Sequence, residues 1–341
     1  MPSQETQILD NIIASRRALL TGGAATLAAF ALPSSARAAS TVSAYGDTDI
    51  LNFALNLEYL EANFYYLAAF GTNISTANSL YPTGAMVQGI TGTGTQGTVA
   101  VKATPKVPFL NLSVASYAVE TAVEEGKHVA FLRSALGTAA VAQPAIDLMT
   151  SFNTLASAAG IGSAFDPFAS DANFLIGAYI FEDVGVTDYH GAAPLFTTGA
   201  TGKTYLAAAA GILAVEAYHA GLVRTTINAL DPTNSLGYQT LTQKISTLRA
   251  SLALAAAPTP VSPFDPNPDD YGLTPGTITV SLAGGASVPR TQIVDSDPTN
   301  VIACSRTTTQ VLNIVTGGNA TTSGTKATGV FFPSGLNGLF S

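Results

Sequence analysis

Glu125 and His128 stand three residues apart in VEEGKHVAF, and Glu216 and His219 repeat that spacing in AVEAYHAGL. On an α-helix, residues three apart lie about 60° apart in azimuth and about one turn apart in height. A carboxylate and an imidazole so placed can grip one metal ion from the same face. Two such helices, with one Glu from each of two more, make a dinuclear carboxylate centre. Glu58 in NLEYLEANFYY and Glu182 in YIFEDVG complete that set. The chain has eight Glu, and all except Glu5 fall in these four motifs or, for Glu120, just before the first of them; two of its three His follow a Glu by three residues. The simpler alternative, ordinary helical Glu and His paired with each other, leaves buried carboxylates unexplained. Glu58, Glu125, His128, Glu182, Glu216 and His219 are therefore the expected metal ligands. No catalytic residue and no organic-cofactor site is assigned.

Four amphipathic or apolar stretches must carry these residues. The first helix is expected over about 48–70, capped by Asp47 or Asp49 and stopped by Gly71. Its inward stripe is Leu51, Ala54, Leu57, Glu58, Glu61 and Phe64. Glu61, one turn beyond Glu58, is either a neighbour of the ligands or an alternative ligand. Residues 72–109, rich in Gly, Thr and Pro, form a long excursion with room for a β-hairpin. The second helix is expected from 111–113 to Gly137, with Glu124 rotated about 100° from Glu125 toward solvent. Pro144 can open a short helix over 144–159. The third long helix starts near Ser170 or Asp171, carries Glu182 and ends near Pro194. His190, about 80° round from Glu182, is a partner of the ligands, a further ligand or an ordinary hydrogen-bonded histidine. The fourth helix covers about 203–230, and a fifth, about 235–256, has no Glu or His. Tyr65, Tyr117, Tyr179 and Tyr218 lie near expected ligands along their helices; core packing is their usual role, redox chemistry the alternative.

Composition narrows the class. A chain of 341 residues, 47% hydrophobic and 11% charged, builds a large core and is not disordered. The net charge of -8 argues against nucleic acid and against an anionic membrane surface. The single Cys304 excludes an internal disulfide, and a buried inert thiol is expected. There is no GxSxG, no phosphate loop and no Rossmann fingerprint.

Residues 1–38 have the pattern of a twin-arginine leader. Arg16-Arg17 precede an apolar run to Leu32, and Ala36-Arg37-Ala38 offers small residues for cleavage. The run is short and broken by Gly22 and Gly23, so no stable membrane span is expected after cleavage. The expected segments are a leader over 1–38, a helical bundle over 39–256 and a tail over 257–341. The tail opens with a proline-rich strap, continues through the alternating TITVSL, and holds a last helix near 305–315. It is read as wrapping the bundle.

At these residues the chain resembles the ferritin-like superfamily. NLEYLEANFYY is similar to the first ferritin helix, where a Glu is followed seven residues later by a Tyr, here Glu58 and Tyr65. EEGKHVAFL resembles the second helix of bacterioferritins. FEDVGVTDYHGAAP and the closing FFPSGLNG resemble the branch called desiccation-related or stress-response ferritin-like proteins. The resemblance runs from about residue 45 to the end. It implies a mainly α fold, a ferritin-like four-helix bundle with an extra helix and a long irregular C-terminal tail, and it favours Glu58 over Glu61 as ligand.

Two metal ions, iron or manganese, are the expected cofactors, since carboxylate and neutral imidazole suit both. Dioxygen or peroxide are the expected small-molecule partners of a di-iron or di-manganese oxidoreductase, exported to the periplasm or beyond, and a homo-oligomer is compatible. The second expectation is a non-enzymatic, desiccation-related structural protein with a stabilising metal site. The third is iron storage, ranked lower because the long loops and tail would crowd a closed shell.

Overall fold

The computed structural model describes residues 45–76, 88–256, 269–319 and 326–340. The leader expected over 1–38, with its cleavage point, lies outside the described residues. In chain order the elements are α1 (Asp47–Phe70), β1 (Val99–Ala100), α2 (Leu112–Leu136), β2 (Ile146–Asp147), α3 (Ser151–Ala158), α4 (Asp171–Ala192), α5 (Ala200–Leu230), α6 (Tyr238–Ala256), β3 (Thr274–Ser281), β4 (Ser287–Gln292) and α7 (Thr308–Val315).

The long helices start and stop where their sequence allows. Asp49 accepts the Gly46 N–H at 2.9 Å at the start of α1. Gly71 ends that helix at φ 78, a left-handed conformation that costs a glycine nothing. Asn111 Oδ1 accepts from Ser113 and Val114 N–H to open α2, and Ser170 Oγ accepts from Asn173 N–H to open α4.

Side-chain contacts fix the helix directions. Tyr66 meets Gly126 while Tyr59 meets Arg133, so α1 and α2 are antiparallel. Glu216 meets Gly185 while Arg224 meets Tyr179, so α4 and α5 are antiparallel. Tyr65 reaches Glu182 and Tyr189 reaches Glu58, so α1 and α4 are antiparallel too. Then α2 and α4 run the same way, and residues 137–170 must carry the chain back along the bundle, the long crossover of a ferritin-like topology.

That crossover corrects two local expectations. Among the described residues of the excursion over 72–109 there is no hairpin; β1 pairs in parallel with β2, Val99 opposite Ile146. The helix expected over 144–159 begins only at Ser151. Residues 146–147 are held in the strand pair, and Asp147 Oδ1 accepts the N–H groups of Met149 and Thr150 at 2.7 and 2.8 Å, turning the chain first.

Helix α1 is buried on every side from Ile50 to Phe70. One face meets the other long helices. The opposite face is a polar stripe at helical spacing, Asn52, Asn56, Tyr59 and Asn63, that hydrogen-bonds irregular chain. Asn56 donates to Asn337 O at 2.9 Å and accepts Asn337 N–H at 3.0 Å. Asn52 donates to Ala139 O and accepts Val141 N–H, each at 3.0 Å. Tyr59 donates to Val141 O, and Asn63 to Gln143 Oε1. Buried loop backbone needs such partners.

Several described parts of the tail lie against the helices. Phe331 packs on Phe181 and Phe152, with ring centroids 5.0 and 5.4 Å apart. A buried ion network ties the tail to α4, α5 and α6: Asp183 takes Arg224 and Arg249, and Asp270 takes Arg249 and Arg306. Buried charges of this kind persist only when paired and hydrogen-bonded. The TITVSL segment forms the β3 strand, paired antiparallel with β4 and largely exposed. The last helix is α7, opened by a capping box between Thr307 and Gln310. Cys304 is buried.

Candidate metal centre

The long helices bring all six expected ligand residues to one place, each nine-tenths or more buried. Donor atoms of Glu58, Glu125, His128 and Glu216 lie within 4.8 Å of one another, and so do those of Glu125, Glu182, Glu216 and His219. Glu125 and Glu216 belong to both groups. His128 Nδ1 lies 3.3 Å from Glu58, 3.5 Å from Glu125 and 3.4 Å from Glu216. His219 Nδ1 lies 2.9 Å from Glu125 and 3.5 Å from Glu182.

The donors face inward without partners. Glu58 Oε2, Glu182 Oε2, both oxygens of Glu125 and of Glu216, and Nδ1 of both histidines are buried and make no aligned hydrogen bond. Even the 2.9 Å approach of His219 to Glu125 is out of alignment. Buried polar atoms left unpaired cost about 1–3 kcal/mol each, more when charged. So many converging on one point fit a cation cage, in which each inward lone pair gains a ligand.

The outward atoms of the same groups are held. Tyr65 donates to Glu182 Oε1 and Tyr189 donates to Glu58 Oε1. His219 Nε2 lies 2.8 Å from Glu124 Oε2. Glu124, expected in solvent, is only part-exposed and braces His219 of the facing helix. The spacing Glu182 to Tyr189 repeats Glu58 to Tyr65, a signal already present in the sequence; Glu124 carries none. Gly185 makes room for the cage, since a Cβ there would sit 2.4 Å from Glu216 Oε2.

Electrostatics describe the protein without metal. Burial pushes the Glu58 carboxyl up to about 7, with His128 opposing. Burial raises Glu216 well above the ordinary value, with Glu125 adding to it. Burial raises Glu182, and His219 partly offsets this. Burial also opposes ionisation of Glu125, yet His128 and His219 together hold it well below the usual carboxylate range. Burial disfavours both imidazolium ions, but Glu58 and Glu125 around His128, and Glu182, Glu124 and Glu125 around His219, raise both histidines far above their ordinary value. The protons on the histidines thus occupy the place where cationic charge is wanted.

Other candidates fall outside the two donor groups. Glu61 is buried beside the cage, raised well above its ordinary value by burial and by Glu216, Glu125, Glu182 and Glu58. His190 turns to the backbone, its Nδ1 3.2 Å from Cys304 O. Tyr179 belongs to the ion network, beneath Arg249 at 4.7 Å. Tyr218 is 77% exposed, and Tyr117 is half-buried. Asp183, Asp270 and Asp295 also cluster, but arginines already neutralise Asp183 and Asp270. Asp188 is buried, with Oδ1 unpaired, and burial plus Glu58 push its carboxyl up to about 8.

Four antiparallel-packed long helices, a long crossover and a carboxylate–histidine cage on their inner faces define a ferritin-like bundle. The sequence matches the family described as "Ferritin-like domain" over residues 46–229, and the chain belongs to that family. It is similar to the desiccation-related protein PCC13-62 of Craterostigma plantagineum, 33% identical over 214 residues, covering 60% of this chain and 62% of that protein. No solved structure matches.

Proposed function

We propose that the cage holds two divalent first-row ions, iron or manganese, and that the protein uses them for redox protection under stress. The convergence of unpaired buried donors from Glu58, Glu125, His128, Glu182, Glu216 and His219 carries this reading. Four carboxylates balance two divalent ions, so the loaded cage is neutral, and burial then favours the metal over isolated charge. Glu58 and His128 would hold one ion, Glu182 and His219 the other, with Glu125 and Glu216 between them. Such a pair, when bound, supplies electrons to dioxygen or peroxide.

The chain's own part is to orient and to exclude water. Tyr65 and Tyr189 aim the outer carboxylates, and Glu124 aims His219. Aromatic packing about Phe64, with Phe174 stacked at 5.8 Å and Phe181 edge-on at 5.2 Å, closes the core beside Tyr65. Protons leaving the histidines and Glu58 as metal binds must be released, which couples loading to pH.

A second reading, favoured by the name of the similar protein, is a desiccation-related role in which the metals stabilise the fold. The Arg16-Arg17 leader supports export by the twin-arginine route to the periplasm or beyond. The test is metal analysis of protein purified from its own compartment, followed by peroxide and dioxygen turnover. Two ions per chain with turnover lost in Glu58→Ala supports the redox reading. Two ions with no turnover supports the structural one. The same metal content in the His128→Ala/His219→Ala double variant sinks both.

A further inference from the structure

The two halves of the cage match in most respects. Each has a Glu-x-x-His pair, and each has an outer Glu bonded by a tyrosine, Glu182 by Tyr65 and Glu58 by Tyr189. They differ at the histidines. His219 Nε2 lies 2.8 Å from Glu124 Oε2, while among the described residues nothing hydrogen-bonds the corresponding nitrogen of His128. The His219 side chain is 4% exposed, the His128 side chain 11%, and Glu124 reaches in from the solvent edge at 36%.

A carboxylate on the outer nitrogen of a ligand histidine acts in three ways. It fixes the proton on that nitrogen, leaving the inner lone pair free; it holds the ring plane; and it raises the ring's basicity toward metal. His219 has all three and His128 has none. Of the six cage residues His128 is the most exposed, and Glu124, one turn before it on α2, also reaches solvent.

We propose that Glu124 is a positioning residue that makes the two cation positions unequal. The position of Glu182 and His219 holds its ion tightly; that of Glu58 and His128 exchanges its ion with solvent at its more exposed histidine. This rests on the metal-centre reading above. It assigns different work to the two positions: a resident ion beside His219, and a transient divalent first-row cation beside His128, where a cationic substrate would enter and leave.

The test is a titration of the full chain, stripped by chelator, with cobalt(II), followed by calorimetry and visible absorbance. Two steps are expected, separated by about ten- to a hundredfold in affinity. His219→Ala should remove the tight step and His128→Ala the loose one. Glu124→Ala should weaken the tight step by about tenfold or more and shift its cobalt absorbance, leaving the loose step in place. Glu124→Gln, whose carboxamide oxygen still accepts from Nε2–H, should restore most of both. Circular dichroism of the metal-free variants reports folding separately. Two cations bound with equal affinity, or a titration unchanged in Glu124→Ala, would overturn the asymmetry and leave the centre standing. No cobalt bound by the wild type would overturn the asymmetry and the metal-centre reading together.

Discussion

Tyr189 on α4 donates its hydroxyl to Glu58 on α1, and seven residues back along each helix pair the bond is reciprocated: Tyr65, seven after Glu58, donates to Glu182, seven before Tyr189. The crossed pair locks α1 to α4 and spends one oxygen of each carboxylate on a phenol. Only the second oxygen of each is left facing the cage. Replacing either tyrosine by Phe frees that carboxylate to rotate and leaves a buried oxygen unpaired. Tyr189→Phe and Tyr65→Phe are each expected to cost about 10–100-fold in metal affinity, with the helical circular dichroism unchanged. Affinity equal to wild type in both variants would refute an orienting role for the phenols.

Gly185 offers a test with an inverted sign. In an exposed helix interior, Gly→Ala gains about 1 kcal/mol. Here the added methyl would stand 2.4 Å from Glu216 Oε2, and Glu216 is one of the two residues common to both donor groups. Gly185→Ala should therefore lose metal binding and lower the melting temperature. Gly211, with nothing near its missing Cβ, is the control: Gly211→Ala should be neutral or stabilising. Equal melting temperatures and metal contents in the two variants would remove Glu216 from the crowded position described.

The convergence of the six candidate residues was legible because a metal cage would demand particular donor types at a fixed helical spacing, and that demand survives in a linear string. The helices were legible from apolar period and caps, with starts displaced at α3, α5 and α6. What depended on distant chain was hidden. Asn52, Asn56 and Asn63 fall on one helical stripe, yet a polar stripe ordinarily reads as solvent-facing; Asn337, the partner of Asn56, lies 281 residues away. Glu124 points about 100° away from Glu125 on its own helix, and only α5 folding alongside turns that direction into a contact with His219. At Pro144 the local helix-start signal lost to the parallel pairing of β1 with β2 and to the Asp147 turn.

Asp188 gives the metal-free protein a pH dependence of known sign. Its folded value, pushed up to about 8 by burial and by Glu58, exceeds its ordinary 3.8. The folded state therefore holds a proton that the unfolded state releases between those values. Its stabilising contribution is complete below the lower value and is lost as pH rises through the higher. Melting temperature in chelator should fall from about pH 5 to pH 8, and Asp188→Asn should flatten the fall and be the more stable protein at pH 8. A variant with the slope of the wild type would show that Asp188 ionises freely in the fold.

Metal binding should run against that slope. Ligands must be deprotonated to bind. In the metal-free cage Glu58 titrates near 7, Glu216 and Glu182 are raised, and both histidines hold protons tightly. Each loading step must therefore expel protons, and each proton expelled makes apparent affinity rise about tenfold per pH unit. A ligand at a hundred times its dissociation constant stabilises the fold by about 2.7 kcal/mol, so the gain in melting temperature on adding manganese should be small at pH 6 and large at pH 8. The chelated protein weakens over the same range, and the two curves should diverge. Calorimetric titration in two buffers of different ionisation enthalpy counts the protons directly. More than one proton released per chain is the expected result. A buffer-independent heat with a pH-independent gain would mean that the cage is already deprotonated, and that the carboxylates and imidazoles do not compete for protons as their burial requires.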